Sequence, residues 1–500
     1  MIKNFILPPL LVLSFVASLY VGEILAGTSL YFASMMALAV LSACVTYNIL
    51  GGLGTISGIA FTRFALTTLV ISQVGKVLLF ERADINLDVP ELTITVYAVY
   101  FGFLMLGTFV FSRVRLTLPK PTESETPAQL RYLYLVALSG GLLGTAWLLI
   151  LEFAGGNADA SLGHGFARAL SFLLPFSLVL AVDNRIRTSS GQHSLGWMAV
   201  WPAIALAFHG FLYGARLGFV EPFAIIFLTC YLRKFRFRLK HTVAAISIAV
   251  LFFVVVSPFY LYSRSFGGKA SITEQLTTMF KLLESAPSQW ETIKSTVGEG
   301  ALAAPGSVNY FASANAVTMN RFALIGPDST LINACATGFH YGFTSIRLDV
   351  LTEIPRFLYR DKPEIGSNKY LGHLDGQEGD AFETTNSTVT SISDSYGAFS
   401  WLGVAAFAFV VMPAIFVVYE SMFEIQRPWG TVAAVLLFLQ LMEGSMGHDI
   451  TEVLIKNPLY IVILSWCAAW IVRLIPVTGD RAVKVRNSSR RSVMMGTGDD

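Results

Sequence analysis

The sequence predicts an all-α polytopic integral membrane protein of about twelve transmembrane helices, with one large external loop domain. Three observations predict it. Only 14% of the residues are charged and the mean hydropathy is +0.61, whereas a soluble globular domain carries about 25% charge. Apolar runs long enough to cross a bilayer, roughly 17–25 residues, recur along most of the chain. They are broken by a single long polar insert, 261–395. The net charge of +2 says little on its own, and no nucleic-acid partner is expected.

Taken in order, the apolar runs lie near 5–23, 29–50, 56–79, 94–112, 132–151, 166–182, 196–212, 216–232 and 241–260, then 398–419, 430–446 and 456–474 after the insert. The connections at 51–55, 213–215 and 447–455 are tight. The first run follows Lys3 but no small-residue cleavage site, so it reads as a span and not as a removed signal peptide. Four regions follow: spans at 1–260, a loop domain at 261–395, spans at 396–475, and a disordered tail at 476–500. An even number of spans puts both termini on one side of the membrane.

Short-loop charge orients the chain, because Lys and Arg are retained on the cytoplasmic side. Arg113, Arg115, Lys120 and Arg131 mark one connection, and Arg185 with Arg187 a second. Arg233, Lys234, Arg236, Arg238 and Lys240 mark a third, and Arg473, Arg481, Lys484, Arg486, Arg490 and Arg491 the tail. All fall on the same side in a twelve-span arrangement. The insert is then external, periplasmic if the cell is Gram-negative, and both termini of this multi-pass protein are cytoplasmic.

Inside the insert, Ile272, Leu276, Met279, Phe280 and Leu283 share one helical face, and Ser271 with Glu274 forms a capping box. Brief helical segments are expected near 307–318 and 331–346. Arg347–Phe357 suits a helix interrupted at Pro355, and Pro363 to Phe382 reads as loop. Four scattered cysteines, Cys44, Cys230, Cys335 and Cys467, support neither a disulfide framework nor a zinc site. No phosphate-binding loop, metalloprotease helix or nucleophile elbow is present.

Chemistry concentrates at 347–373. Arg347, Arg356, Arg360, Lys362, Lys369 and His373 are mixed there with Asp349, Glu353, Asp361 and Glu364. Arg356 and Arg360, four apart, share a face on any helix. Guanidinium pairs suit a phosphate or pyrophosphate, since they donate in a planar fork and stay charged. A solvated loop whose charges pair locally explains the same residues equally well. Arg216 opens a span at its external end, where an arginine marks either function or a side chain reaching for the headgroups. Tyr260-Leu261-Tyr262-Ser263-Arg264-Ser265 leaves the membrane outward and puts Arg264 and two tyrosines at the interface, where an aromatic belt accounts for the tyrosines. His448 and Asp449, in Glu443-Gly444-Ser445-Met446-Gly447-His448-Asp449, are placed to orient each other, or simply to form a turn.

Several of these stretches together resemble the O-antigen-type polysaccharide repeat-unit polymerases of bacterial envelopes. They are Gly214-Ala215-Arg216 opening a span, the large external loop, Ile354 through Pro363, and Thr390-Ser391-Ile392-Ser393-Asp394-Ser395-Tyr396-Gly397 leading into the next span. The resemblance implies a GT-C-like membrane glycosyltransferase. It would extend a glycan carried on undecaprenyl pyrophosphate, with membrane lipid as its surroundings and no metal or other cofactor. A chain-length regulator is left open as a further partner. On this view Arg216, Arg264, Arg347, Arg356, Arg360 and Lys362 hold the pyrophosphate donor, and Glu353, Asp394 or His448 activates the acceptor hydroxyl. An O-antigen ligase and a transporter of the same lipid-linked glycan are the alternatives. The 271–284 helix is expected to lie on the membrane as a lid.

Overall fold

A computed structural model describes residues 6–121, 127–153, 173–212, 216–238, 323–354, 367–374, 389–441 and 445–474. It also describes residues 167, 170, 171, 241, 243, 247, 277, 281, 310, 311 and 359. The regular elements among these residues are all helical. They are α1 (Pro9–Leu25), α2 (Leu30–Ile49), α3 (Ile56–Leu78), α4 (Pro90–Phe111), α5 (Pro127–Phe153), α6 (Leu173–Thr188), α7 (Trp197–Leu212) and α8 (Arg216–Leu232). From the insert come α9 (Ile325–Ala336), α10 (Thr344–Glu353) and α11 (Ser367–Leu374). Then follow α12 (Ser391–Met422) and α13 (Pro428–Gln440). The last, α14, runs through Met446–His448, a π-helical stretch Asp449–Lys456 and Asn457–Leu474.

Six of these helices are long and apolar enough to cross a membrane by length and composition. Helix is the answer here because a backbone in hydrocarbon must satisfy its hydrogen bonds within the segment. Their ends carry the expected punctuation. Proline opens α1, α4 and α13, where its missing N–H costs nothing. Ser29 caps α2 by accepting from the Phe32 N–H at 3.2 Å, and Thr55 caps α3 from the Gly58 N–H at 3.1 Å. Outward faces stay apolar: Leu10 is 80% exposed, Ile150 66% and Trp470 64%. Surfaces of that kind on one helix after another belong against lipid.

Packing centres on α2 against α4, α3 against α13, and α4 against α12. Phe64 and Phe101 stack at 5.2 Å, with Phe61, Tyr100 and Phe416 edge-on around them. A second group joins α5, α6, α7 and α8.

The connections gather at two ends. At one, the buried Asp183 takes Arg233 at 2.5 Å and Arg187 at 3.0 Å, Lys120 approaches Glu424 at 3.7 Å, and Glu420 accepts from the Ser57 N–H at 2.9 Å. At the other, Asp84 accepts from the Ser29 N–H at 3.1 Å, Tyr310 donates to the Ala83 carbonyl at 2.8 Å, and Ser329 receives the Asp88 N–H at 3.0 Å. The first end holds the basic loops and the second holds the described parts of the insert.

Four expectations for the insert are revised. Helix α9 begins at Ile325, and the segment expected near 331–346 is divided by a turn at Gly338, whose φ is +93°. Helix α10 ends at Glu353, because Ile354 is held extended before Pro355. The Pro363 to Phe382 loop contains α11. The stretch before the next span is also helical from Ser391, not from 398. The region at 447–455, read as a tight external connection, is helix within α14. The capping-box helix 271–284, the tail 476–500 and most of the predicted span 241–260 lie outside the described residues.

Candidate functional site

Four elements converge at the insert end: α10, α11, the start of α12 and the start of α14. Asp394 lies at their junction, in the first turn of α12 and fully buried. One carboxylate oxygen accepts from the Tyr341 phenol at 2.6 Å, and the other from the Met446 N–H at 2.6 Å. The Met446 amide is among the first of α14, whose N-terminal N–H groups have no partner within the helix and attract an anion. Burial and the adjacent Asp394 carboxylate push the Tyr341 phenol well above its ordinary range. It stays protonated and keeps donating.

Asp349, on α10 and half-buried, sits one layer nearer the surface. It accepts from the Ser445 hydroxyl at 2.7 Å and from the Ser367 N–H at 3.3 Å. That second bond satisfies the first amide of α11 and favours a helix there within a Gly-rich stretch. The Ser445 and Ser367 hydroxyls meet at 2.7 Å, and Ser445 also caps α14 by accepting from the His448 N–H at 3.1 Å.

Two glycines permit this closeness. A Cβ on Gly447 would stand 2.8 Å from the Ser345 carbonyl and 2.9 Å from the Ile346 Cα, and closer still to the Asp349 carboxylate. A Cβ on Gly397 would meet the Tyr341 ring at 2.6 Å. The backbones of 341 and 342 also pair with 397 and 398 at 3.3 and 3.1 Å.

A second buried carboxylate, Asp328 on α9, ties the insert to the spans. It accepts from the Tyr97 phenol at 2.5 Å, the Thr390 N–H at 2.8 Å, and the Thr390 and Ser393 hydroxyls at 2.6 Å each. Burial raises its pKa, and these donors pull it back only in part. Every bond points inward, so this cluster is an anchor.

The structure brings Asp394 and His448 into one corner, with Arg347 on the exposed side of α10 and Glu353 closing that helix. Arg216 opens α8, and only its backbone is described. Arg264, Arg356, Arg360 and Lys362 lie outside the described residues. Cys335, the insert's cysteine, is buried and its thiol is pushed up to about 11, first by burial and then by Asp394, which leaves it a poor nucleophile. Among the described residues no three His, Cys, Asp or Glu side chains are grouped to hold a metal ion. Sequence reasoning missed Tyr341, Ser445 and Asp328. The available signal for Asp328 was an isolated acid in an apolar segment, since a charge in such surroundings requires a partner.

Compared with known proteins, the chain matches no family model, no curated protein and no solved structure.

Proposed function

We propose that the protein is a membrane glycosyltransferase that polymerises undecaprenyl-pyrophosphate-linked oligosaccharide repeat units at the external face of a bacterial inner membrane. It would do so through about twelve spans in a GT-C-like arrangement. The observation that carries this reading is the polar corner at the insert end. Asp349 on α10 and Ser445 and His448 at the start of α14 gather there around the buried Asp394, with Arg347 on the outer side of α10. The resemblance of 200–405 to the repeat-unit polymerases supplies the substrate class.

The chemistry divides between charge and proton. The leaving lipid pyrophosphate gains negative charge, which fixed guanidinium groups stabilise. Arg216, Arg264, Arg347, Arg356, Arg360 and Lys362 are the candidates. The acceptor hydroxyl loses a proton, which calls for a carboxylate or imidazole within hydrogen-bond reach. Asp349 and His448 stand nearer the surface of the corner, and Asp394 lies beneath them as the group that positions both helices.

A transporter of lipid-linked glycan is the second reading. Arg63 sits inside the apolar helix α3, and an ionisable group at such depth often lines a transport path.

The test is turnover by the purified protein in liposomes with undecaprenyl-pyrophosphate oligosaccharide and no other acceptor. Polymerisation gives lipid-linked ladders that survive chelator and disappear in Arg216→Ala or Arg356→Ala. Transfer only after lipid A core is added would make it a ligase. No transfer, with movement of the lipid-linked glycan across the bilayer, would make it a transporter.

A further inference from the structure

The described insert presents an apolar and basic face that its own packing leaves uncovered. Phe339 is 52% exposed and Phe343 68%, and Val350 and Arg347 are exposed as well. Residues 343, 347 and 350 are spaced four and three apart, so on α10 they form one stripe. The opposite side of the same helix is occupied: Ser345 is buried, and Asp349 is bonded to Ser445 and to the first amide of α11.

This face runs directly into the outward wall of α12. The Phe343 ring packs on Phe399 at 4.6 Å, and His340 meets Tyr396, which in turn meets Trp401, at 6.1 and 5.5 Å. Trp401 and Leu402 follow at once on α12, with Leu402 76% exposed. That helix is one of the six long and apolar enough to cross a membrane. Trp401 stands just past the break at Phe399 and Ser400, where the regular, membrane-length part of α12 begins, and tryptophan at the start of such a stretch is typical of headgroup depth. The stripe on α10 therefore stands at the level where hydrocarbon gives way to phosphate.

We propose that the turn at 338–343 and the outer face of α10 are seated in the outer-leaflet interface. Phe339, Phe343 and Val350 enter the acyl boundary, and Arg347 lies among lipid phosphates. The two chemistries of the stripe match the two of the interface: aromatic and aliphatic groups below, and a cation that extends its charged end upward. Such seating fixes the height of α10 above the bilayer, and with it the height of the corner formed by Asp349, Ser445 and Asp394. The inference rests on the membrane-spanning character of α12 and is independent of which reaction the corner serves.

Nitroxide labelling tests it. In a background carrying Cys44→Ala and Cys467→Ser, with the buried Cys230 and Cys335 retained, single Phe343→Cys and Val350→Cys variants are labelled. They are reconstituted in phosphatidylethanolamine–phosphatidylglycerol vesicles. Collision with oxygen, which concentrates in hydrocarbon, is compared with collision with a water-soluble nickel chelate. Leu402→Cys gives the lipid reference and the exposed Gln192→Cys the aqueous one.

The expected oxygen-to-nickel ratio at 343 and 350 is several-fold above that at 192 and approaches that at 402. Ratios at 343 and 350 equal to that at 192 would overturn the proposal. Spectral broadening at 343 that grows with protein density in the vesicle would also overturn it, assigning the face to a second copy of the chain. The labelled positions are all exposed side chains and Cys44 is half-buried, and an unchanged thermal unfolding midpoint confirms that each labelled variant is folded.

Discussion

Asp394 has two acceptor oxygens and two buried donors, Tyr341 and Met446, so its contribution is read by removing the acceptors and keeping the shape. Asp394→Ala leaves both donors unpaired at about 1–3 kcal/mol each, and thermal unfolding in detergent should register the loss. Asp394→Asn should retain most of the stability, because its amide oxygen faces the Met446 N–H while its NH2 donates to the phenol. Equal destabilisation by the two variants would mean that hydrogen bonding is not what holds the corner. Asp328 carries a different signature. Burial raises its pKa above the ordinary 3.8, so the folded state holds the proton more tightly than the unfolded state does. The corresponding stability is present below the unfolded pKa and is lost as pH rises through the folded one. The wild type should therefore gain stability relative to Asp328→Asn as the pH is lowered from 7 towards 4, measured as the difference in Tm. A constant difference would show that the carboxyl does not titrate in that window. Neither acid was legible as part of a cluster in the sequence, since their partners lie far off along the chain: Tyr97 and Thr390 for Asp328, Tyr341 and Met446 for Asp394.

Apolar runs gave away the helices where one solvent dominates, and failed where tertiary contacts decide. The segment 391–397 is polar, yet helical, because Thr390 caps it at Ile392 and the buried Asp328 carboxylate takes up the Thr390 amide and the Ser393 hydroxyl. Helix α11 was hidden for the same reason: its first amide is satisfied by Asp349, far off in sequence. Within α12 the regular path breaks at Phe399 and Ser400, where Ser400 adopts φ 55° and ψ −144°. A side chain is disfavoured there, and strain of this kind costs about 1–3 kcal/mol. Ser400→Gly should relieve part of it and raise the thermal midpoint without moving the helix. The break sits beside the Phe343–Phe399 contact, so it also sets where the insert meets the span. A variant no more stable than the wild type would mean that the surrounding packing already accommodates the serine at no cost.

At the level of the whole molecule, loop charge and loop contact are independent observations that divide the chain in the same way. The charge argument uses only the position of Lys and Arg, and it places 113–131, 183–195 and 233–240 on one side. The contacts use only geometry: Asp183 with Arg233, Lys120 with Glu424, and Glu420 with Ser57 at one end; Asp84 with Ser29, Tyr310 with Ala83, and Asp394 with Met446 at the other. Loops assigned to opposite sides by charge are not brought together in these pairs. If the helices cross a bilayer, the two ends face different compartments, and the basic end faces the cytoplasm. A membrane-impermeant thiol reagent applied to intact cells should then modify Asp88→Cys, which is exposed at the insert end, and spare Gln192→Cys at the basic end. Permeabilised cells should show both modified. The reverse pattern in intact cells would place the corner of Asp349, Asp394 and His448 in the cytoplasm, where soluble nucleotide-activated donors are available, and a lipid-pyrophosphate donor would no longer be required.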